Sequence, residues 1–146
     1  MKYVHTNLVA RDWRKLADFY IKIFNCTPLP PERDLKGEWL DKAVNLKDTR
    51  ITGVHLRLPG YVDGPTLEVF QYNKEEVAEK PYPNTPGLGH LAFSVADVEE
   101  TAEKIIDMGG TWVGELTTVE IPKVGTLVFA YMRDPEGNII EIQRQA

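Results

Sequence analysis

Four side chains of the types that hold a divalent metal ion stand at repeated positions in this 146-residue chain. His5 and His90 each sit second in a short branched and aromatic segment, Val4-His5-Thr6-Asn7-Leu8-Val9 and Gly89-His90-Leu91-Ala92-Phe93-Ser94-Val95. Each His is followed seven residues later by an Asp, Asp12 or Asp97, and twelve residues later by Ala17 or Ala102. The two stretches also end alike. Glu68 and Glu141 each follow a Gly by four residues, in Asp63-Gly64-Pro65-Thr66-Leu67-Glu68 and Glu136-Gly137-Asn138-Ile139-Ile140-Glu141. Two neutral imidazoles and two carboxylates around a divalent ion form a locally neutral site, which removes much of the cost of burying bare carboxylates. Mixed nitrogen and oxygen ligation suits Zn, Ni, Co, Mn or Fe(II) without choosing among them. With a six-coordinate ion, four protein ligands leave two positions for water or substrate. Taken singly, a strand His is more often a hydrogen-bonded structural residue and a strand Glu is usually solvated. Recurrence at matching places in two halves shifts that balance.

The elements that must position these residues repeat too. Short segments rich in branched and aromatic residues read as strands at Tyr3–Val9, Trp39–Leu46, Ile51–Leu58 and Thr66–Tyr72 in the first half. Those of the second half are Leu88–Val95, Thr111–Gly114, Thr126–Met132 and Ile139–Arg144. Behind Asp12, a natural N-cap, Trp13, Leu16, Ala17, Tyr20, Ile23 and Phe24 form one apolar helical stripe. Asp97 and Glu100 resemble a capping box, Val98, Ala102, Ile105 and Ile106 are expected in the core, and Gly109-Gly110 ends the second helix. Each half therefore reads as βαβββ, and the fold class as α+β. A single domain over residues 1–146 is expected, with modules at 3–73 and 88–145 and a linker at 74–87 carrying one helical turn near Lys74–Glu79. The Pro- and charge-rich stretch from Pro28 to Lys47 is expected to hold the extra loop of the first half. Period-two alternation sets Glu68, Phe70 and Tyr72 against Leu67, Val69 and Gln71, and His90, Ala92 and Ser94 against Leu91, Phe93 and Val95. Ile140 and Ile142 likewise oppose Glu141 and Gln143. Helices need the apolar face, so the four candidate ligands point away from them.

Composition narrows the remaining classes. A hydrophobic fraction of 42% and a charged fraction of 27% are ordinary for a globular protein. The net charge of −5 argues against a nucleic-acid partner. No apolar run reaches the roughly 18 residues of a membrane span, and the first residues lack a secretory pattern. One cysteine, Cys26, forms no internal disulfide and suits the reducing cytoplasm. Glycine-rich phosphate loops and Ser-His-Asp signatures are absent. His55 shares a strand face with Arg57 and could touch substrate or support a ligand, though a structural or solvated role is the commoner one. Arg50, Arg57, Lys123 and Arg133 could bind a substrate carboxylate, and Trp39, Phe70 and Tyr72 could wall a pocket. Surface charge and core packing are the ordinary readings of the two groups.

With these residues in place, the chain resembles the vicinal oxygen chelate superfamily, and within it the glyoxalase I (lactoylglutathione lyase) pattern. The motifs are His5-Thr6-Asn7-Leu8 leading to Asp12 and Asp18-Phe19-Tyr20, Gly89-His90-Leu91-Ala92-Phe93-Ser94-Val95 with Asp97, and Asp134-Pro135-Glu136-Gly137-Asn138 before Glu141. The resemblance implies two tandem βαβββ modules forming a cup-shaped mixed sheet around one metal, with helices outside. His5, Glu68, His90 and Glu141 match the glyoxalase ligand set one by one, and Glu68 and Glu141 become the candidate catalytic residues. A homodimer is implied, with a site that draws on one chain or two. The expected function is a metal-dependent lyase or isomerase that moves a proton beside a carbonyl, through a metal-bound ene-diolate, on a small oxo substrate. A methylmalonyl-CoA epimerase-like enzyme, a dioxygenase and a ligand-sequestering protein of the bleomycin-resistance type are the alternatives. The dioxygenases and fosfomycin-resistance enzymes of this superfamily use three ligands, so a fourth at Glu68 favours proton transfer.

Overall fold

A computed structural model describes residues 1–77 and 79–145, and the chain divides into two compact units, Met1–Val77 and Ala78–Ala146. The first unit runs β1 (His5–Val9), α1 (Trp13–Phe24), β2 (Thr27–Lys36), α2 (Glu38–Val44), β3 (Arg50–Arg57) and β4 (Thr66–Tyr72). Its four strands form one mixed sheet in the order β1-β4-β3-β2. The second unit runs β5 (Leu91–Ser94), α3 (Val98–Asp107), β6 (Thr111–Trp112), β7 (Thr117–Ile121), β8 (Gly125–Arg133) and β9 (Ile139–Gln145). Its sheet has the order β5-β9-β8-β6, with β7 also paired to β8. In both units the first strand pairs in parallel with the last. The remaining pairs are antiparallel. A parallel pair cannot be joined by a tight turn. Each unit therefore passes through a helix and other strands before its last strand returns to the first.

Local chemistry sets the helix limits. Asp12 is extended and accepts from the Arg14 and Lys15 N–H groups, and Asn25 in the left-handed conformation closes α1. Asp97 accepts from the Glu100 N–H at the start of α3. Leu16, Ala17, Phe19, Tyr20 and Phe24 are buried against the sheet face of Leu8, Val54, Leu56, Leu67 and Val69. In the second unit Val98, Ala102 and Ile105 are buried with Phe93, Ala130, Met132, Ile140 and Ile142. These are the faces that alternation assigned to the helices.

Several expectations need correction. The expected strand at Trp39–Leu46 is largely the helix α2, in which Leu40 packs with Ile51 and Phe70, and Val44, one turn on, adds to the cluster. The second strand of this unit is instead β2, inside the stretch read as a loop. Pro28, Pro30 and Pro31 are tolerated there because β2 is an edge strand, and its pairing shifts register between Leu29 and Arg33. In the second unit β7 is an additional strand. Ile106, expected in the core, is 41% exposed. Ile23 is only half-buried, while Phe19 fills the space under α1. Residues 74–77 and 79 carry no helical turn, and Ala78 of that stretch lies outside the described residues. The βαβββ frame is present in each half, with α2 added to the first and β7 to the second.

Gly53 on β3 stands opposite Phe70 on β4. A methyl group there would overlap both the Val69 carbonyl oxygen and Phe70 Cδ1, so only glycine lets the Phe70 ring lie across this strand. Gly53→Ala is expected to lower stability by about 1–3 kcal/mol through overpacking. Urea unfolding reads this as a lower midpoint, and an unchanged midpoint contradicts the close approach.

Candidate functional site

Parallel pairing of β1 with β4 gathers the polar residues of the first unit. The register sets His5 opposite Thr66 and Asn7 opposite Glu68, so all four share the face turned away from α1. His5 Nε2 lies 3.3 Å from Glu68 Oε2. Asn7 Nδ2 donates to the same oxygen at 3.2 Å. A third group comes from β3, where His55 stands directly opposite Glu68, and its Nε2 lies 3.0 Å from Oε1. Glu68 is 8% exposed, whereas the His5 side chain remains open to solvent. On the same face, Phe70 meets the edge of the His55 ring, with centroids 5.7 Å apart. Phe70 is therefore a core residue that also walls this cluster.

The second unit repeats the plan with different supports. Ala92 pairs with Glu141, and His90, two residues before Ala92, brings Nε2 to 3.0 Å from Glu141 Oε2. Tyr131 of β8 stands directly opposite Glu141, the position that His55 holds against Glu68. Its ring packs edge-on to His90, with centroids 5.1 Å apart. Burial, the charge of Glu141 and a hydrogen bond to that carboxylate push the Tyr131 phenol above its ordinary range, so it stays protonated and donates. The turn before β9 is built around the buried Asp134. Its Oδ1 accepts from the Glu136, Gly137 and Asn138 N–H groups at 3.0, 2.9 and 3.0 Å, and its Oδ2 accepts from Asn138 Nδ2 at 2.7 Å. Gly137 has φ +97° within this turn. That rigid turn fixes where β9 starts, and so which face Glu141 occupies.

His5 thus meets Glu68 within one unit, and His90 meets Glu141 within the other. Among the described residues no group of three or more His, Cys, Asp or Glu forms a set that could hold a metal ion. In the first unit His5 and His55 approach different oxygens of Glu68. The first unit sets two imidazole nitrogens and the second unit one beside a well-covered carboxylate, donor types whose chemistry suits a divalent ion. The residues weighed as anion binders divide. Arg50 is paired with Asp34 at 2.7 and 2.8 Å, and Arg133 donates to the Gly137 and Pro81 carbonyl oxygens at 2.8 and 2.7 Å. Arg57 is half-buried on the His55 face of β3. Trp39 is 59% exposed on α2, and Cys26 is buried, with its thiol pushed up to about 12 by burial. That thiol is inert.

Sequence reasoning gave His55 a minor role and missed Tyr131. Their legible signal is alternation within β8 and β3, combined with the register that sets each opposite a glutamate. Burial is the main cause that holds the His55 imidazole below the ordinary 6.5, with Arg33 and His5 adding to it and Glu68 opposing.

Comparison with known proteins agrees with this architecture. Residues 2–142 match the family model described as the Glyoxalase/Bleomycin resistance protein/Dioxygenase superfamily. A probable lactoylglutathione lyase of Synechocystis sp. is 43% identical over 142 residues, covering 97% of this chain and 94% of the relative. The lactoylglutathione lyase of Escherichia coli O157:H7 is 29% identical over 144 residues, covering 97% and 91%. A crystal structure of a glyoxalase family protein from Bacillus cereus superposes with a TM-score of 0.80 at 18% identity, covering 99% of this chain and 93% of that one. At that identity the likeness is one of fold alone.

A neutral His55 has a consequence for stability. Below pH 6.5 an unfolded-state imidazole takes a proton that folded His55 resists. Stability therefore rises with pH through this range and is lost as the pH falls below it. Protein kept in chelator-containing buffer is expected to lose stability between about pH 7 and 5, with His55→Phe showing a shallower loss. Urea titrations across that range read the slope, and equal slopes contradict a neutral buried His55.

Proposed function

Because this chain belongs to the Glyoxalase/Bleomycin resistance protein/Dioxygenase superfamily, we propose that it is a metal-dependent enzyme of the lactoylglutathione lyase type. In this reading it transfers a proton beside a carbonyl of a small oxo substrate. The observation that carries the reading is the duplicated pair, His5 with Glu68 and His90 with Glu141, each set by the same parallel first-to-last strand register. The names of the relatives support it. A divalent ion held by His5, Glu68, His90 and Glu141 would supply Lewis acidity to two neighbouring substrate oxygens. The site forms within one chain or across a homodimer.

The protein's own groups would manage the proton. Glu68 or Glu141 accepts it from the carbon beside the carbonyl and returns it to the neighbouring position, as a general base and then a general acid. Both carboxylates are well covered, with side chains 11% and 12% exposed, which limits competition from water. His5 and His90 are more open, at 41% and 38%, and form the accessible side of each pair. A divalent ion would balance the charge of two carboxylates, which lowers the cost of keeping them covered.

The test combines metal content with isotope exchange. Protein purified without added metal is expected to bind about one divalent ion per chain, and His90→Ala to lose most of it while remaining folded. Glu68→Gln is expected to depress turnover by about 10²–10⁴. With a thiohemiacetal or 2-oxo thioester in deuterated water, deuterium should enter at the carbon beside the carbonyl. Oxygen consumption on a catechol without such exchange overturns proton transfer in favour of ring cleavage.

A further inference from the structure

The two carboxylates share a register but not their supports. Where Asn7 stands opposite Glu68 and donates to Oε2, the second unit has Ala92 opposite Glu141, and the Ala92 methyl group offers the carboxylate no donor. Where the second unit backs Glu141 with the Tyr131 phenol, the first backs Glu68 with an imidazole. Both nitrogens of that imidazole are engaged. Nε2 lies 3.0 Å from Glu68 Oε1, and Nδ1 lies 3.3 Å from Thr66 Oγ1. An ionised carboxylate only accepts, so Nε2 carries the proton. In the neutral ring Nδ1 is then an acceptor for the Thr66 hydroxyl. The ring plane is fixed on two further sides by edge contacts, with centroids 6.1 Å from His5 and 5.7 Å from Phe70. Phe70 lies there because Gly53 has no Cβ to displace it.

We propose that His55 is a positioning residue for Glu68, holding Oε1 so that Oε2, on the His5 side, is the oxygen presented to a metal ion. This rests on the metal-dependent reading above and adds to it a Thr66–His55–Glu68 chain of hydrogen bonds. The chain holds Glu68 in one orientation before any ion arrives. Metal affinity then depends on a residue that is not itself a ligand, because an unheld carboxylate must be ordered at the moment of binding. Glu68 and Glu141 are therefore not interchangeable. The first is clasped through both oxygens by two rings and an amide, and the second by one ring nitrogen and a phenol.

Competition of Zn(II) between the protein and a chromophoric chelator tests this without reference to turnover. His55→Phe keeps a ring against Phe70 but removes both hydrogen bonds, and is expected to weaken Zn(II) binding about 10–100-fold. His55→Gln restores an N–H donor and is expected to recover most of that loss, which a purely structural role would not produce. Thr66→Val removes only the hydroxyl that orients Nδ1, and should weaken binding in the same direction by a smaller factor. It also serves as the test if His55→Phe does not fold. Tight wild-type binding that is lost in Glu68→Ala, yet unchanged in His55→Phe and Thr66→Val, overturns the role of His55 alone. Wild-type protein that binds no Zn(II) overturns both this role and the metal-dependent reading.

Discussion

The parallel pairing of first and last strands within each unit is the constraint on which the rest depends. Glu68 and Glu141 are far along the chain from His5 and His90, and only this pairing makes them neighbours. Side chains alternate with period two, so a slip of one residue in β1 against β4 would turn Glu68 toward α1 and Leu67 toward solvent. The apolar face resists that slip. Leu8, Leu67 and Val69 are buried beneath α1, and exchanging them for Glu68 would place a bare charge in the core. Packing on one face therefore enforces the chemistry on the other.

The polar face of each sheet is not uniformly open. In the first unit α2 covers one end through Leu40, Ile51 and Phe70, while Glu68 lies further along the same face. Phe70 links the two regions, since it belongs to the apolar cluster and also walls the His55 ring. In the second unit Tyr131 meets both His90 and Phe129, with ring centroids 5.1 and 5.8 Å apart. An aromatic ring thus lies against an imidazole in each half, Phe70 against His55 and Tyr131 against His90. Such contacts restrict the imidazole rings to few rotamers, and a site built on them would be held in place before a ligand arrives.

The parts of the fold that a local rule determines were legible from residue order. Alternation in Thr66–Tyr72 and Ile139–Arg144 put Glu68 and Glu141 on the faces where they stand, and Asp12 and Asp97 marked the starts of α1 and α3. The stretch from Thr27 to Val44 was misread because two competing effects decide it. Prolines usually exclude a strand, but β2 is an edge and tolerates them. Trp39 and Val44 favour a strand locally, but the one-turn spacing of Leu40 and Val44 lets both pack on the sheet as a helix. The supports of the candidate site, His55 and Tyr131, were harder to read. Each faces a glutamate across an antiparallel pair, and the loops within those pairs differ in length, so a fixed sequence offset does not find both. Register, a tertiary property, assigns them.

Anomalous diffraction from crystals of the protein loaded with Zn(II) bears most directly on whether the two His/Glu pairs are halves of one centre. A single peak ligated by His5 Nε2, Glu68 Oε2, His90 Nε2 and Glu141, with His55 still on Glu68 Oε1, is the expected result. An ion held by one pair alone, or bound away from all four residues, would contradict it.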